Sequence, residues 1–576
     1  MEHFYAHLPK AKVAIPLLFW MSCCPSSAQN LSGFWDEITT RIRHEEYLRI
    51  AGNMQLELRF NAVQGLTPRA DAFALRGGAN LLLDIVGVKV PLAAAFSDGD
   101  LAYRLPAYAF VGASPAYRWI TLHLGDRSMN FSPYTLAGHS FRGVGLELKP
   151  GKFYFAAMSG RLRRARAEDA GAIQDIEGAY RRDGWGIKTG YDNGQHQIMV
   201  ILFQAKDDPN SFEFPDSSRI APQENLILGL QGKSRIGNHV SVELDLARSA
   251  LTRDSRSPET SEEVNGFSQR MFGLYTPKYS SGYHNATKFK VNFTPKIAAF
   301  HLTYERIDPG YRTLGTLFFN NDQENISVGA QLPLFGKKVR LSANGGLQRN
   351  GLQGDVASIF RRFIGSIDLS ATILPKFQIN VACSNITNTN RYRLVTVPVI
   401  QVDSIVLLQT NLSLQASATY LGGPSQNSVF NAIFTYQSAQ AIENEEVRSD
   451  QSNTFYMGML SHTWRTSDNN WAISTSGLAH FTRTQNFEQW LFGPALSISK
   501  FLLKEQLRIG LSGACSLIHT AGNFDGRVFD LRSEGTLNLS KGQSIAARAS
   551  GVWSDARSAP VFTDWNAVLS YRLIFK

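Results

Sequence analysis

From Leu48 onward, segment after segment of this 576-residue chain returns an apolar side chain at every second position. Trp185, Ile187, Thr189 and Tyr191 alternate with Gly186, Lys188, Gly190 and Asp192, and Val240, Val242, Leu244 and Leu246 alternate with Ser241, Glu243, Asp245 and Ala247. Leu412, Leu414, Ala416, Ala418 and Tyr420 alternate with Ser413, Gln415, Ser417 and Thr419. A strand points successive side chains to opposite faces, so this period of two makes ribbons with one apolar and one polar face. No amphipathic helical pattern intervenes, which points to one continuous antiparallel sheet. Such a sheet either packs as a soluble sandwich or rolls into a barrel that turns its apolar face to lipid and its polar face to a lumen.

Two further signals favour the barrel. Tight turns at Val86-Gly87-Val88, Pro150-Gly151, Gly237-Asn238, Phe335-Gly336-Lys337 and Lys541-Gly542 alternate with long polar stretches. Those stretches are Arg163 to Asp183, Lys206 to Gln223, Ser249 to Gly266, Asp308 to Glu324, Asn385 to Gln401 and Ser438 to Asn453. Short turns on a periplasmic rim and long loops on an extracellular rim belong to outer-membrane barrels, and a sandwich has no need of that asymmetry. The last segment sets Trp565, Ala567, Leu569, Tyr571, Leu573 and Phe575 on one face and Asn566, Ser570 and Arg572 on the other, with Val568 and Ile574 blurring the polar side. Trp565, Leu569, Tyr571, Leu573 and the penultimate Phe575 together read as a closing strand of the kind the barrel assembly machinery recognises. The roughly 529 residues from Leu48 to Lys576, at about 20 to 26 residues per strand with its connection, hold about 20 to 26 strands, with about 24 as the central expectation. The expected fold class is all-β, a large single-chain transmembrane antiparallel barrel.

The N-terminus bears on compartment. Lys10 and Lys12 precede an apolar run from Val13 to Met21, and Ser26-Ser27-Ala28 supplies small residues before Gln29, as a cleaved signal peptide requires. The expected domains are therefore a signal peptide (1–28), a short periplasmic or lumenal segment (29–47) and the barrel (48–576). Within Gly33 to Tyr47, Trp35, Ile38 and Ile42 stand at helical spacing, so this piece is either a short helix or a tether. It is too short for the folded plug of a TonB-dependent transporter. Of four cysteines, Cys23 and Cys24 leave with the signal, so only Cys383 and Cys515 remain and no disulfide scaffold organises the fold.

A mean hydropathy of −0.17 hides a lipid-facing surface when apolar residues occupy alternate positions. The charge of +10 comes from scattered Lys and Arg, without the clustered basic face that nucleic acid would require. No Gly-x-Ser-x-Gly, paired-histidine zinc helix, phosphate loop or calcium loop occurs. The expectation is thus no enzyme, no cofactor, no metal and no nucleic acid. Functional side chains then sit on the inward face, and the alternation selects Lys188, Asp192, Glu243, Asp245, Arg340, Asp368, Arg508 and Arg548. Their mixed signs point to internal pairing or weak ion selectivity rather than a ring of one charge. The stretch Asn130 to Arg142 is less polar than an exposed loop should be; it either folds inward as a constriction or packs on its own rim. Its Tyr134, His139 and Arg142, with nearby Arg127, are the candidate lumen contacts. The cluster Arg161, Arg163, Arg164, Arg166, Arg181 and Arg182 is either a solvated loop or a clamp for lipid phosphates.

Tyr117-Arg118-Trp119-Ile120-Thr121-Leu122-His123-Leu124-Gly125, Ser128-Met129-Asn130-Phe131-Ser132-Pro133-Tyr134-Thr135-Leu136-Ala137-Gly138-His139, Gly143-Val144-Gly145-Leu146-Glu147 and Met158-Ser159-Gly160-Arg161-Leu162 resemble a largely uncharacterised family of large, porin-like outer-membrane barrels of Bacteroidota. The resemblance is densest between Pro68 and Asn225. It implies compartment and fold, with no substrate or catalytic residue. The leading functional expectation is a passive or gated channel for small polar solutes in the outer membrane of a Gram-negative cell. The alternative is a structural or assembly barrel of a secretion or surface-export complex with a closed lumen. Expected partners are outer-membrane lipid and lipopolysaccharide, the assembly machinery, and periplasmic or surface proteins.

Overall fold

The computed structural model describes residues 48–575 except 69–70, 86–87, 99–107, 167–177, 213–219, 261–270, 272, 318, 354–357, 393–404, 424–426, 444–445, 467–469, 486 and 558–559. The expected signal peptide, the segment 29–47 and the turn at Val86-Gly87 lie outside the described residues.

All strand pairings are antiparallel, and the described helical structure is a single 3-10 turn at Phe335–Lys337. Twenty-seven strand segments form one sheet. Tyr108–Ala113 and Ala116–Tyr117 both lie between Val88–Ser97 and Ile120–Ser128, so they share one place and the wall has 26 strands. The first strand, Leu48–Gln64, pairs with the last, Phe562–Phe575, from Gly52 opposite Phe575 to Gln64 opposite Thr563. That ladder leaves no free edge, and an antiparallel ring can close only with an even number of strands. Twenty-six strands, about 4.8 Å apart and tilted about 40°, give a wall roughly 50 Å across.

One rim carries short connections throughout, among them residues 149–152, 193–195, 237–239, 375–376 and 541–542. Gly151 and Gly237 supply positive φ in two of them, 63° and 60°. The other rim carries residues 129–139, 164–180, 209–223, 253–280 and 308–322. The asymmetry lapses towards the C-terminus. The stretch from Ser438 to Asn453, expected as a long loop, instead continues the strands Ser428–Glu443 and Glu446–Arg465, the latter 20 residues long. Likewise the strand Phe377–Tyr392 runs well past Asn385, where a loop was expected to begin. A 20-residue strand reaches about 65 Å, more than a tilted crossing needs, so it runs on past the hydrocarbon.

The ladders fix which way each side chain points. Leu347, Ile367 and Leu460 face outward and are 63, 56 and 68% exposed, as are Ile198, Val200, Leu511 and Trp565 to lesser degrees. Such a surface is untenable in water over a whole wall and natural against hydrocarbon. Outward aromatics gather in two belts. Tyr436, Tyr456, Phe481 and Trp490 form a ladder of rings 4.4 to 6.0 Å apart toward the long-loop rim. Phe293 with Phe300 and Tyr420 with Phe430 do so at the short-turn rim. Cys383 and Cys515 are free and also point outward, opposite Leu414 and Phe529.

Candidate functional site

Two connections from the long-loop rim fold into the lumen and pack together. Residues 129–139 follow the strand Ile120–Ser128, and residues 308–322 follow Ala299–Ile307. Leu136 and Gly315 form a parallel bridge, and the Ala137 amide donates to the Gly315 carbonyl at 3.2 Å. Tyr134, Tyr311 and Phe319 meet edge-on or tilted with centroids 5.3 to 6.4 Å apart. Met129, Phe131, Tyr134, Leu136, Tyr311 and Leu314 are all buried, and they rest on inward side chains of the wall such as Phe141, Met158, Ile201, Phe203, Ile227 and Ala247. This apolar cluster is what makes the inward course favourable for residues that an exposed loop would leave wet.

Polar groups then fix the position of the loops on the wall. Lys188 donates to the Phe131 carbonyl and to Gln231 Oε1, both at 2.6 Å. Gln231 in turn donates to Asp245 Oδ2 at 2.8 Å, and Ser132 reaches Asp245 Oδ1 at 3.4 Å. Tyr134 donates its hydroxyl to Glu305, and Tyr311 donates to the Tyr134 carbonyl at 2.7 Å. Asn225 accepts from the Leu314 amide at 3.2 Å and donates to Ser249 Oγ at 2.8 Å. Backbone groups pulled out of water by the inward fold therefore find partners, which burial demands.

The candidate residues separate into groups. Tyr134, Lys188 and Asp245 meet at the loop pair. His139, buried, holds the Ser140 carbonyl at 2.7 Å through Nδ1. Arg127 faces the lumen by register with Phe141. Asp192 is inward at the short-turn rim, where it accepts from the Gly194 amide at 2.8 Å. Glu243 pairs with Lys233 at 3.0 Å and Arg508 with Glu534 at 3.6 Å, both across the inner wall. Arg340, Asp368 and Arg548 are inward and exposed to the lumen. Arg142 is the exception: it points outward, where it grips Asp126 through Nε at 2.8 Å. A single residue after the inward Phe141, it has the opposite parity.

The second inward loop was expected as a polar outer connection. Tyr311, Leu314 and Phe319 were the signal that it is not. Nor were Asn225 and Ser249 foreseen, since nothing local marks them as anchors. Beyond the loops, the inner wall changes character. On Ser358–Leu374, Phe377–Tyr392 and Ile405–Gly422 it presents Ser366, Asn388, Gln409, Asn411, Ser413 and Gln415, neutral hydrogen-bonding groups that are half-buried or exposed, and on Glu446–Arg465 it turns apolar again with Phe455, Met457 and Met459.

Closure without an edge, lipid-compatible exterior and polar interior define a large transmembrane antiparallel β-barrel. No protein-family model and no curated protein sequence matches the chain. Among solved structures it is similar to the translocation pore of the P pilus usher (PapC), at 8% identity and a TM-score of 0.38, covering 91% of this chain and 99% of that one. It is also similar to the ferric yersiniabactin uptake receptor FyuA from Yersinia pestis, at 10% identity and a TM-score of 0.37, covering 92% and 80%. The Acinetobacter baumannii protein OccAB2 matches at 9% identity and a TM-score of 0.28 over 66% of this chain and 98% of that one. Likenesses this distant say nothing about what passes through or assembles on the barrel.

Proposed function

We propose that this chain is an outer-membrane channel for small polar solutes, in which the paired inward loops narrow one side of the lumen and the neutral amide and hydroxyl wall beyond them lines the passage. The observation that carries the reading is the asymmetry of the inner wall. From Ile120–Ser128 to Ala299–Ile307 it is covered by a dry, hydrogen-bonded loop pair. From residue 358 to 422 its inward side chains are mostly Asn, Gln, Ser and Thr, with Arg362 and Asp368 as the charges, chemistry that exchanges hydrogen bonds with uncharged solutes without a strong charge filter. Scattered paired charges such as Lys233 with Glu243 fit weak selectivity. The same proposal takes the long-loop rim as external, membership of the Bacteroidota family resembled above, and no catalysis.

Planar-bilayer recording of the purified protein tests it. Stable ohmic steps with little cation or anion preference are expected, and replacing residues 131–137 with a short Gly-Ser link is expected to enlarge them. A silent protein that co-purifies with periplasmic or surface partners would instead identify an assembly barrel.

A further inference from the structure

The arginine-rich stretch around Arg161 to Arg182 is divided by the wall. Arg163 and Arg182 turn inward and share the fully buried Asp207, with Arg182 Nε to Oδ1 at 2.7 Å and Arg163 to Oδ2 at 3.1 Å. Arg161 and Arg181 turn outward. With Arg142 and Lys206 they line a groove of about 640 Å³ on the exterior, floored by Ser159 and flanked by Trp185, whose indole donates to Gln204 at 2.9 Å. All four cations lie at the ends of strands that meet the long-loop rim, on the four adjacent strands Ser140–Leu148, Phe153–Arg163, Arg181–Asp192 and His196–Asp208.

Four cations face one lining carboxylate, Asp183, which pairs with Arg181 at 2.9 Å. Asp126 and Glu224 hold Arg142 and Lys206 from outside the groove. The Arg161 side chain, opposite Arg142 on one side and Asp183 on the other, has no hydrogen bond and no close ion pair among the described residues, and feels Asp183 only as a more distant attraction than Arg181 does. Bringing like charges together beside a hydrocarbon surface is unfavourable unless an anion completes the set. Further along the same rim Arg248, Arg306 and Arg349 also point outward. A cationic groove on the outward face, at the rim ends of its strands and beside an indole, fits a phosphate carried by a membrane lipid better than a solute in the lumen.

We infer that this groove binds the phosphate groups of an anionic lipid of the outer leaflet, with Arg161 and Arg181 as the principal contacts. The assignment rests on the external position of the long-loop rim taken under the proposed function. Native mass spectrometry of the full-length protein from outer membranes, with bisphosphoryl lipid A as the added probe, tests it. Wild type is expected to retain lipid A. R161E/R181E is expected to lose about tenfold or more of it, R161K to keep it, and millimolar inorganic phosphate to leave it in place. Equal retention by R161E/R181E, checked as folded by heat-modified gel mobility, overturns the groove as a lipid site. Complete displacement by inorganic phosphate overturns the lipid as its source. Wild type absent from the outer-membrane fraction would refute the location instead, and is read separately by fractionation.

Discussion

At Gly186 the wall has no side chain because the loop supplies one. A Cβ at that position would lie 2.8 Å from Cε2 of Phe131, and one at Gly145 would lie 2.6 Å from Sδ of Met129. Two backbone-only patches thus receive two loop side chains, a fit that native packing density requires. Gly186→Val is expected to push the Phe131 ring out and cost about 1 to 3 kcal/mol. The measurement is the denaturant midpoint, with conductance noise rising as the loop loosens. Lys188→Met keeps most of the stem but strands the Phe131 carbonyl and Gln231. It is expected to lower stability by about 1 to 3 kcal/mol, while an Arg340→Met variant, whose side chain stands exposed in the lumen, stays within about 0.5 kcal/mol of wild type.

At the scale of one strand, parity decides the consequence of a charge. Ser358–Leu374 carries Ile367 outward, 56% exposed, and Ser366 inward between Asn344 and Ser384. Ile367→Arg is expected to cost about 2 to 4 kcal/mol in a bilayer, whereas Ser366→Arg costs little and shifts selectivity toward anions. Folding titrations into lipid vesicles and reversal potentials read the two effects. Comparable costs for both would contradict a lipid-facing exterior. Parity is also why Arg142 leaves the lumen although its neighbour Phe141 enters it. Segment lengths were the weaker reading, because alternation does not mark where lipid ends and water begins along a strand that continues.

For the molecule as a whole, closure is the cooperative step. Leu48–Gln64 and Phe562–Phe575 are joined by thirteen register pairs, and removing residues 573–576 deletes those from Gly52 to Met54 together with the aromatic at Phe575. Such a truncation is expected to unpair the end of the closing ladder at Gly52 to Met54 and abolish the heat-modified gel shift of a closed barrel. A truncated chain that still shifts would mean closure does not depend on the terminal pairs. The wall that closes here was legible in the sequence, down to the outward set Trp565, Leu569, Tyr571, Leu573 and Phe575. The strand number was near, at 26 against an expected 24.

What the sequence by itself determined is the wall: antiparallel strands, their two faces and the direction of each side chain. Those follow from Cβ geometry within a few residues, so they survive without knowledge of the rest of the chain. Only the tertiary structure decided the contents of the lumen and the division of the arginines between two sides of the wall. Tyr134 meets Glu305 across 171 positions, and Thr135 meets Thr313 across 178. Contacts of that span depend on ring closure and on register accumulated strand by strand, and no local pattern encodes either.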